Sequence, residues 1–411
     1  MRKSLRIGII GGGAAGMVAA VEASRNGAQV TIIERMDRVG KKLLATGNGR
    51  CNFTNAWIEL TRYRSKDVEL ASQFLENFST EYVINYFRDL GIEPYQDETG
   101  KIFPYSLQAS SMVDVLRDEY LRHGTIEKCG EQVLSIHPSK KRTQVNSTIA
   151  THEFDKVVLA MGGKSSDMLG SDGSGFKLLE SMGYVLHPTY PALVKLKSDF
   201  KHLKALRGLK VMALVRLVSE DGLIGKDFGE VLFADFGVSG PPVLQLSGQA
   251  VEEIMKGKSV KLELDLFANQ TPLELHDALM ARFLKLKHKS VQDSFVGLLN
   301  KRLIIPILKE SGITDMSIKA TQLNKKQVYQ IIKTLKSLRL NITNYHSWQA
   351  SQVTAGGLSL RELNPRTMES KKYAGVHVAG EVLDLYGECG GFNLHWAWCT
   401  GIKAGIACSA Y

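Results

Sequence analysis

Residues 5–16, Leu5-Arg-Ile-Gly-Ile-Ile-Gly-Gly-Gly-Ala-Ala-Gly16, decide how the chain is read. A short apolar run without helical period leads into Gly11-x-Gly13-x-x-Gly16, and an Ala/Val-rich stretch follows as far as Asn26-Gly27. That order predicts strand, tight turn and helix. Each glycine has a physical reason. Gly11 turns the chain, Gly13 lets a pyrophosphate approach bare backbone, and Gly16 allows the helix to sit close on the sheet. A pyrophosphate so placed meets the free N–H groups and the positive dipole end of the helix. A second strand, Gln29–Ile33, ends on Glu34, eighteen positions after Gly16, where a carboxylate can accept both hydroxyls of a ribose. The glycine spacing alone is weak evidence, but strand, glycines, helix, strand and acid in register predict a nucleotide-binding βαβ unit.

At 411 residues the chain is too long for one ordinary core, so two or three domains are expected. Its 44% hydrophobic and 8% aromatic content is that of a folded globular protein. No apolar run is long enough to span a bilayer, and a strand starting within a few residues of Met1 leaves no room for a signal peptide. The five cysteines, at 51, 129, 389, 399 and 408, form no CxxC pair and have no metal-ligand spacing. A reduced, cytoplasmic protein with no metal site and no membrane partner is expected. The formal charge of +10 is concentrated: residues 281–345 hold thirteen Lys/Arg against three acids, which is the whole excess.

Beyond Glu34, Arg35 to Asn55 is rich in Gly, Asn, Thr and basic residues and has no period, which predicts an extended loop laid along a ligand. Apolar positions between 67 and 90 predict a helix ending at Gly91, followed by a hairpin over 93–105 and a helix over 110–123. Strands are expected at about 131–137 and 145–150. A buried strand, Lys156–Ala160, ends in small residues (Gly162 follows), as a sheet requires where its carboxyl end approaches a cofactor. From Pro191 the pattern changes to β-branched runs, with Phe236–Leu246 as a turn and short helix, and then to three or four helices. The last sixty residues return to strand, acid, glycine turn and helix, the final helix running from about Trp396. The expected division is 1–190 and 351–411 as one discontinuous nucleotide-binding domain, 191–268 with 339–350 as a β-rich insert, and 269–338 as a basic helical insert.

Four motifs together, Ile9-Ile-Gly-Gly-Gly-Ala-Ala-Gly16, Lys42-Leu-Leu-Ala-Thr-Gly-Asn-Gly-Arg-Cys-Asn-Phe-Thr-Asn55, Gln352-Val-Thr-Ala-Gly-Gly-Leu358 and Gly380-Glu-Val-Leu-Asp384 with Gly390-Gly-Phe-Asn-Leu-His-Trp-Ala-Trp398, are similar to a bacterial family. The chain resembles the aminoacetone oxidase or BaiN-like FAD-binding flavoproteins over essentially its whole length. The resemblance implies FAD and an α/β fold: a glutathione-reductase-type FAD-binding Rossmann-like domain with an inserted β-barrel-like domain and a small helical domain. Carried over, Gly11, Gly13, Ala14, Ala15 and Gly16 become pyrophosphate contacts and Glu34 the ribose acceptor, with Arg35 beside it. Lys41, Lys42, Gly47, Asn48, Gly49, Arg50, Cys51 and Asn52 would line the flavin and its chain, and Val133 would sit at the adenine. Ala160, Gly162, Gly380, Glu381, Gly391, Phe392, Asn393 and Leu394 would border the diphosphate, ribityl and isoalloxazine. Phe233-Ala-Asp-Phe departs from the Thr-His that the family pattern has after the phenylalanine.

The resemblance implies an oxidoreductase. The leading expectation is oxidation of a small metabolite, an aminoacetone-like amine, by hydride transfer to the flavin and reoxidation by O2. The alternatives are NAD(P)H-dependent reduction of an enone, or a flavoprotein linked to nucleic acid through the basic helices. Lysines scattered along helix faces with few aromatics between them weigh against nucleic acid as a partner. No second strand-linked GxGxxG follows residue 100, so a dedicated NAD(P)H domain is not expected. Asp384, Tyr386, Glu388 and His395 lie in the presumed active-site loop, but none stands out as an obligatory acid or base, and Cys51 and Cys389 read as buried inert thiols rather than a redox pair.

Overall fold

In the computed structural model, which describes residues 4–410, the chain forms two compact units. One joins the stretch ending at Pro191 to the stretch beginning at Ser351, and the other is Ala192–Ala350. The first unit is built on a five-stranded sheet in the order Val376–Val378, Lys156–Leu159, Arg6–Ile10, Gln29–Glu34, Ile126–Cys129. Every neighbouring pair is parallel. Strands buried on both faces read as continuous apolar runs, and Ile7, Ile9, Ile32, Val157 and Val158 are fully buried here. The expected strand, glycine turn and helix are present, with the first helix spanning Ala14–Arg25.

The final helix, Phe392–Ser409, packs along that first helix. Glycines set their approach: a Cβ at Gly401 would lie 2.3 Å from the Ala15 carbonyl oxygen, and one at Gly405 would lie 2.6 Å from that of Ala19. Gly401→Val is therefore expected to force the two helices apart, with overpacking of about 1–3 kcal/mol, read as a lower melting temperature. An unchanged melt would show that the contact yields at no cost.

Several local expectations are corrected. Residues 67–90 form two helices, Val68–Leu75 and Thr80–Asp89, because Asn77 turns the chain with φ 69° and Ser79 caps the second helix by accepting from the Tyr82 N–H at 3.1 Å. Residues 35–55 are not extended; they hold a short helix, Lys41–Ala45, and a 3₁₀ turn, Thr46–Gly49. The final helix begins four residues earlier than expected, at Phe392, directly after Gly391 at φ 99°.

The second unit is a closed six-stranded barrel of Leu196–Ser198, Gly237–Ser239, Gly222–Ala234, Lys210–Ser219, Val260–Asp265 and Leu338–Tyr345. The stretch expected to be a turn and short helix is instead the strand Gly237–Ser239 and a 15-residue helix, Pro241–Met255. Its two prolines occupy the first turn, where a missing N–H removes no helical bond. Helices Pro272–Lys285, Val291–Ser294, Lys301–Glu310 and Lys325–Lys336 belong to this unit. No helix among the described residues is long and apolar enough to cross a membrane.

Candidate cofactor site

The carboxyl ends of the central strands open onto a cleft of about 1020 Å³, counting its open mouth. Its floor is the glycine turn. Gly11, at φ 101°, lies so close to the next strand that a Cβ would be 2.4 Å from the Ala160 carbonyl oxygen. At Gly13 a Cβ would meet nothing within 4 Å, so the space over the helix N-terminus belongs to the cleft. Gly16 does not line it; its role is internal, since a Cβ there would sit 1.9 Å from the Gly11 carbonyl oxygen.

Glu34 ends the second strand at the cleft wall and accepts from the Gly12 N–H at 2.7 Å and the Met36 N–H at 2.8 Å. Burial pushes its carboxyl up, against the downward pull of these N–H groups. Each carboxylate oxygen keeps a lone pair for a further donor, as a ribose diol requires. Glu34→Ala removes that acceptor, so FAD affinity is expected to fall roughly ten- to a hundred-fold, the equivalent of about 1.5–3 kcal/mol for a charge-assisted bond. Fluorescence titration of the apoprotein measures it, and unchanged affinity would leave Glu34 as a turn-stabilising acid only.

The opposite wall is tied by Lys42. Its Nζ lies 2.6 Å from Glu381 Oε2 and 2.9 Å from Ser165 Oγ. Glu381 Oε1 in turn accepts from Ser165 Oγ and the Thr354 N–H, both at 2.9 Å. Lys41 also lines the cleft and pairs with Asp37 at 2.6 Å. The far end is closed by the start of the final helix, where Asn393 and Leu394 line the cleft. The Asn393 side chain pins the preceding loop through the Gly387 N–H at 2.8 Å and the Gly387 carbonyl at 3.0 Å.

Of the residues expected at the site, the cleft brings together Gly11, Gly13, Ala14, Ala15, Glu34, Lys41, Lys42, Ala160, Gly162, Gly380, Glu381, Asn393 and Leu394. Arg35 and Val133 line a smaller pocket of about 410 Å³ that shares Gly11, Glu34, Met161 and Gly170 with the cleft. Gly47, Asn48, Gly49, Arg50, Cys51, Asn52, Gly391 and Phe392 line neither. A Cβ at Gly391 would lie 2.4 Å from the Thr54 carbonyl oxygen, and the Phe392 ring is buried against Tyr63. The lining residues Thr46, Met161, Gly170, Ser171, Gln352, Trp396 and Ala397 were not singled out as site residues. Asn393, Trp396 and Ala397 fall at helical spacing, so a final helix started at Phe392 would have found the last two.

Three polar side chains expected near the active site, His395, Glu388 and Asp384, are each held by protein partners. His395 is fully buried, with Nδ1 2.8 Å from Thr54 Oγ1 and Nε2 3.0 Å from the Phe78 carbonyl, and burial pushes its pKa down to about 4. Glu388 pairs with Arg62 at 2.9 Å, and Asp384 accepts from the Lys66 N–H at 2.9 Å and faces His187 Nδ1 at 2.7 Å. Burial pushes the Cys51 thiol up to about 12 and raises that of Cys389 as well, so neither is a ready thiolate.

These residues fit FAD: open space over a glycine turn and helix N-terminus for the pyrophosphate, a half-buried carboxylate for the ribose, and a second helix start at the far end. The fold and site define an FAD-dependent oxidoreductase of Rossmann type. The chain belongs to the family described as HI0933-like protein Rossmann domain, whose model matches residues 5–407, as the motifs led us to expect. It is similar to the 3-dehydro-bile acid delta(4,6)-reductase of Clostridium scindens, 36% identical over 98% of each chain. It is also similar to the ribosomal RNA dihydrouridine synthase of Escherichia coli, 31% identical over 95% of this chain and 94% of that one. Among solved structures, 3-ketosteroid delta1-dehydrogenase from Sterolibacterium denitrificans shares the fold, with a TM-score of 0.52 at 11% identity and 99% coverage of both chains.

Proposed function

We propose that this chain reduces a carbon–carbon double bond conjugated with a carbonyl, using NAD(P)H as the reductant. The observation that carries this is what the two relatives' names have in common. A 3-oxo steroid acid unsaturated at positions 4 and 6 is an enone, and dihydrouridine is uridine with two hydrogens added across the C5–C6 bond that is conjugated with C4=O. Either product requires two hydrogens added across the bond; in this chain NAD(P)H would supply the hydride and water the proton. FAD, when bound, supplies the two-electron transfer. The protein's share is to hold it: the Gly13 turn and first helix start receive the diphosphate, Glu34 accepts the ribose hydroxyls, and the Lys42–Glu381 pair fixes the opposite wall. This reading takes the place of amine oxidation as the leading one.

One feature favours the uracil ring of RNA as the substrate. Lys285, Lys287, Lys301, Lys309, Lys319, Lys325, Lys326 and Lys333 are exposed, and none makes an ion pair among the described residues, whereas Lys336 and Arg339 are held by Asp265 and Glu263. Cations spread over several helices suit the phosphates of a folded RNA, which position a protein without base stacking or sequence specificity; this reverses the expectation drawn from the lack of aromatics between the lysines. The test is anaerobic. FAD-loaded protein reduced with NADPH is mixed with unmodified ribosomal RNA transcript or with a 3-oxo-Δ4 steroid, and the products are weighed by mass spectrometry. The expected result is a uridine gaining two hydrogens. Reduced protein that neither compound reoxidises, but that turns over an amine with O2, would overturn the reductase reading.

A further inference from the structure

The motif Thr46-Gly-Asn-Gly-Arg-Cys-Asn52 contributes only Thr46 to the cleft. The next four residues, Gly47–Arg50, are exposed, yet the loop is tightly shaped: Gly47, Asn48, Gly49 and Cys51 hold φ of 56°, 55°, 82° and 56°. Left-handed backbone at residues that carry a Cβ persists only where surrounding structure enforces it, and it clusters at functional sites. Here the Cys51 N–H is bound by the Thr46 carbonyl at 3.0 Å, and Asn52 Oδ1 accepts from the Ile102 N–H at 3.2 Å. The loop thus presses onto the sheet of Thr54–Asn55, Lys101–Pro104 and Pro94–Gln96. A Cβ at Gly47 would lie 3.6 Å from the Phe103 ring, and the Arg50 guanidinium lies 5.2 Å from that ring's centre.

From Phe103 an aromatic surface continues outward. Tyr95 is the cross-strand partner of Phe103, and Tyr95 and Tyr105, 42% and 73% exposed, meet edge to face at 6.3 Å. Lys101, on the same strand face as Phe103, has its Cε 3.6 Å from where a Gly390 Cβ would stand; the Gly390 carbonyl is held by Asn55 Nδ2 at 2.7 Å. The platform therefore starts one residue from the cleft and abuts the loop that enters the final helix. Three acids share this hairpin: Asp97 accepts from the Thr99 and Lys101 N–H groups, Glu93 pairs with Arg88 at 3.8 Å, and Glu98 is exposed, so the phosphates must keep to the Arg50 and Lys101 side.

We propose that this platform receives the single-stranded RNA flanking the target uridine, with bases stacked on Tyr95 and Tyr105 and phosphates beside Arg50 and Lys101. The proposal rests on the RNA reading above. Exposed aromatic pairs next to cations are what binds unpaired nucleotides, since every base has a π-face. A uracil can enter a cleft only after leaving its stack, so its neighbours need a surface at the cleft mouth. The chain that carries Thr46 into the cleft links it to this surface through Gly47 and Phe103.

The test uses full-length FAD-loaded protein, a fluorescent single-stranded oligouridylate and the ribosomal RNA transcript. The Tyr95→Ala/Tyr105→Ala protein should bind the oligouridylate at least about fivefold more weakly, as expected for lost stacking, and show a raised KM for the transcript. Its FAD content, melting temperature and rate of flavin reduction by NADPH should be unchanged. Tyr95→Phe/Tyr105→Phe, which keeps the rings, should bind as wild type. If wild type binds and reduces RNA and the alanine variant does so equally well, the platform is overturned while the RNA reading stands. A wild type that neither binds nor reduces RNA overturns both, and a variant whose only change is in steroid KM overturns the RNA assignment of this surface.

Discussion

Gly13→Asp is expected to fold, to melt without cofactor at or above the wild-type temperature, and to purify colourless. Gly13 sits at the N-cap of the first helix with φ −82°, a conformation open to any residue, and Asp is among the best N-cap residues. A Cβ there meets no protein atom within 4 Å. The fold has no reason to object, but the diphosphate does. A carboxylate about 4 Å from a phosphate charge at a partly exposed site is repelled by about 4 kcal/mol, which is roughly a thousand-fold in affinity. Flavin absorbance of the purified protein and a thermal melt of the apoprotein check the two halves separately. A yellow variant with wild-type flavin content would move the diphosphate away from this turn.

The second large effect is acid sensitivity centred on His395. Free histidine takes up a proton near pH 6.5, while this one, enclosed between Thr54 and the Phe78 carbonyl, does so only at about 4. Between those values the unfolded chain binds the extra proton and the folded chain does not, so stability falls as pH drops through the window. The slope is about 1.4 kcal/mol per pH unit, and the whole loss is about 3 kcal/mol. Burial lowers the His377 pKa as well, which adds to the loss in the same direction. Denaturant titrations between pH 7 and pH 4 should show this slope, and His395→Gln, which cannot titrate, should flatten it. A wild-type curve without slope above pH 4.5 would mean the ring is solvated.

The histidine also marks the limits of reading the chain from its letters. The βαβ unit was legible because Gly11, Gly13, Gly16 and Glu34 act through local backbone rules that hold in any fold. The basic helices were legible for the same reason, since Lys325–Lys336 carries its apolar face at helical spacing and its cap at Asn324. His395 looked like loop chemistry because the helix start was placed too late, and Gly390 and Gly391 at positive φ turn the chain earlier than a glycine pair alone reveals. Thr46, Met161, Ser171 and Gln352 reach the cleft only because distant segments meet there. Met161 stands between the expected Ala160 and Gly162, and Thr46 and Gln352 fall inside motifs, yet no local rule marks which residues of those stretches turn inward; Ser171 stands apart from all of them.

The pairing of the first and final helices has a consequence during synthesis. Residues 14–25 leave the ribosome hundreds of residues before 392–409, and at about 5–20 residues per second the interval is roughly 20–80 s. Through it, the face made by Ala15, Val18 and Ala19, which the finished molecule buries against the final helix, has no helix to lie against. Transiently exposed apolar surface of this kind makes a partly synthesised chain prone to aggregation. The cleft is complete only once residues 380–397, which line one side of it, have emerged as well.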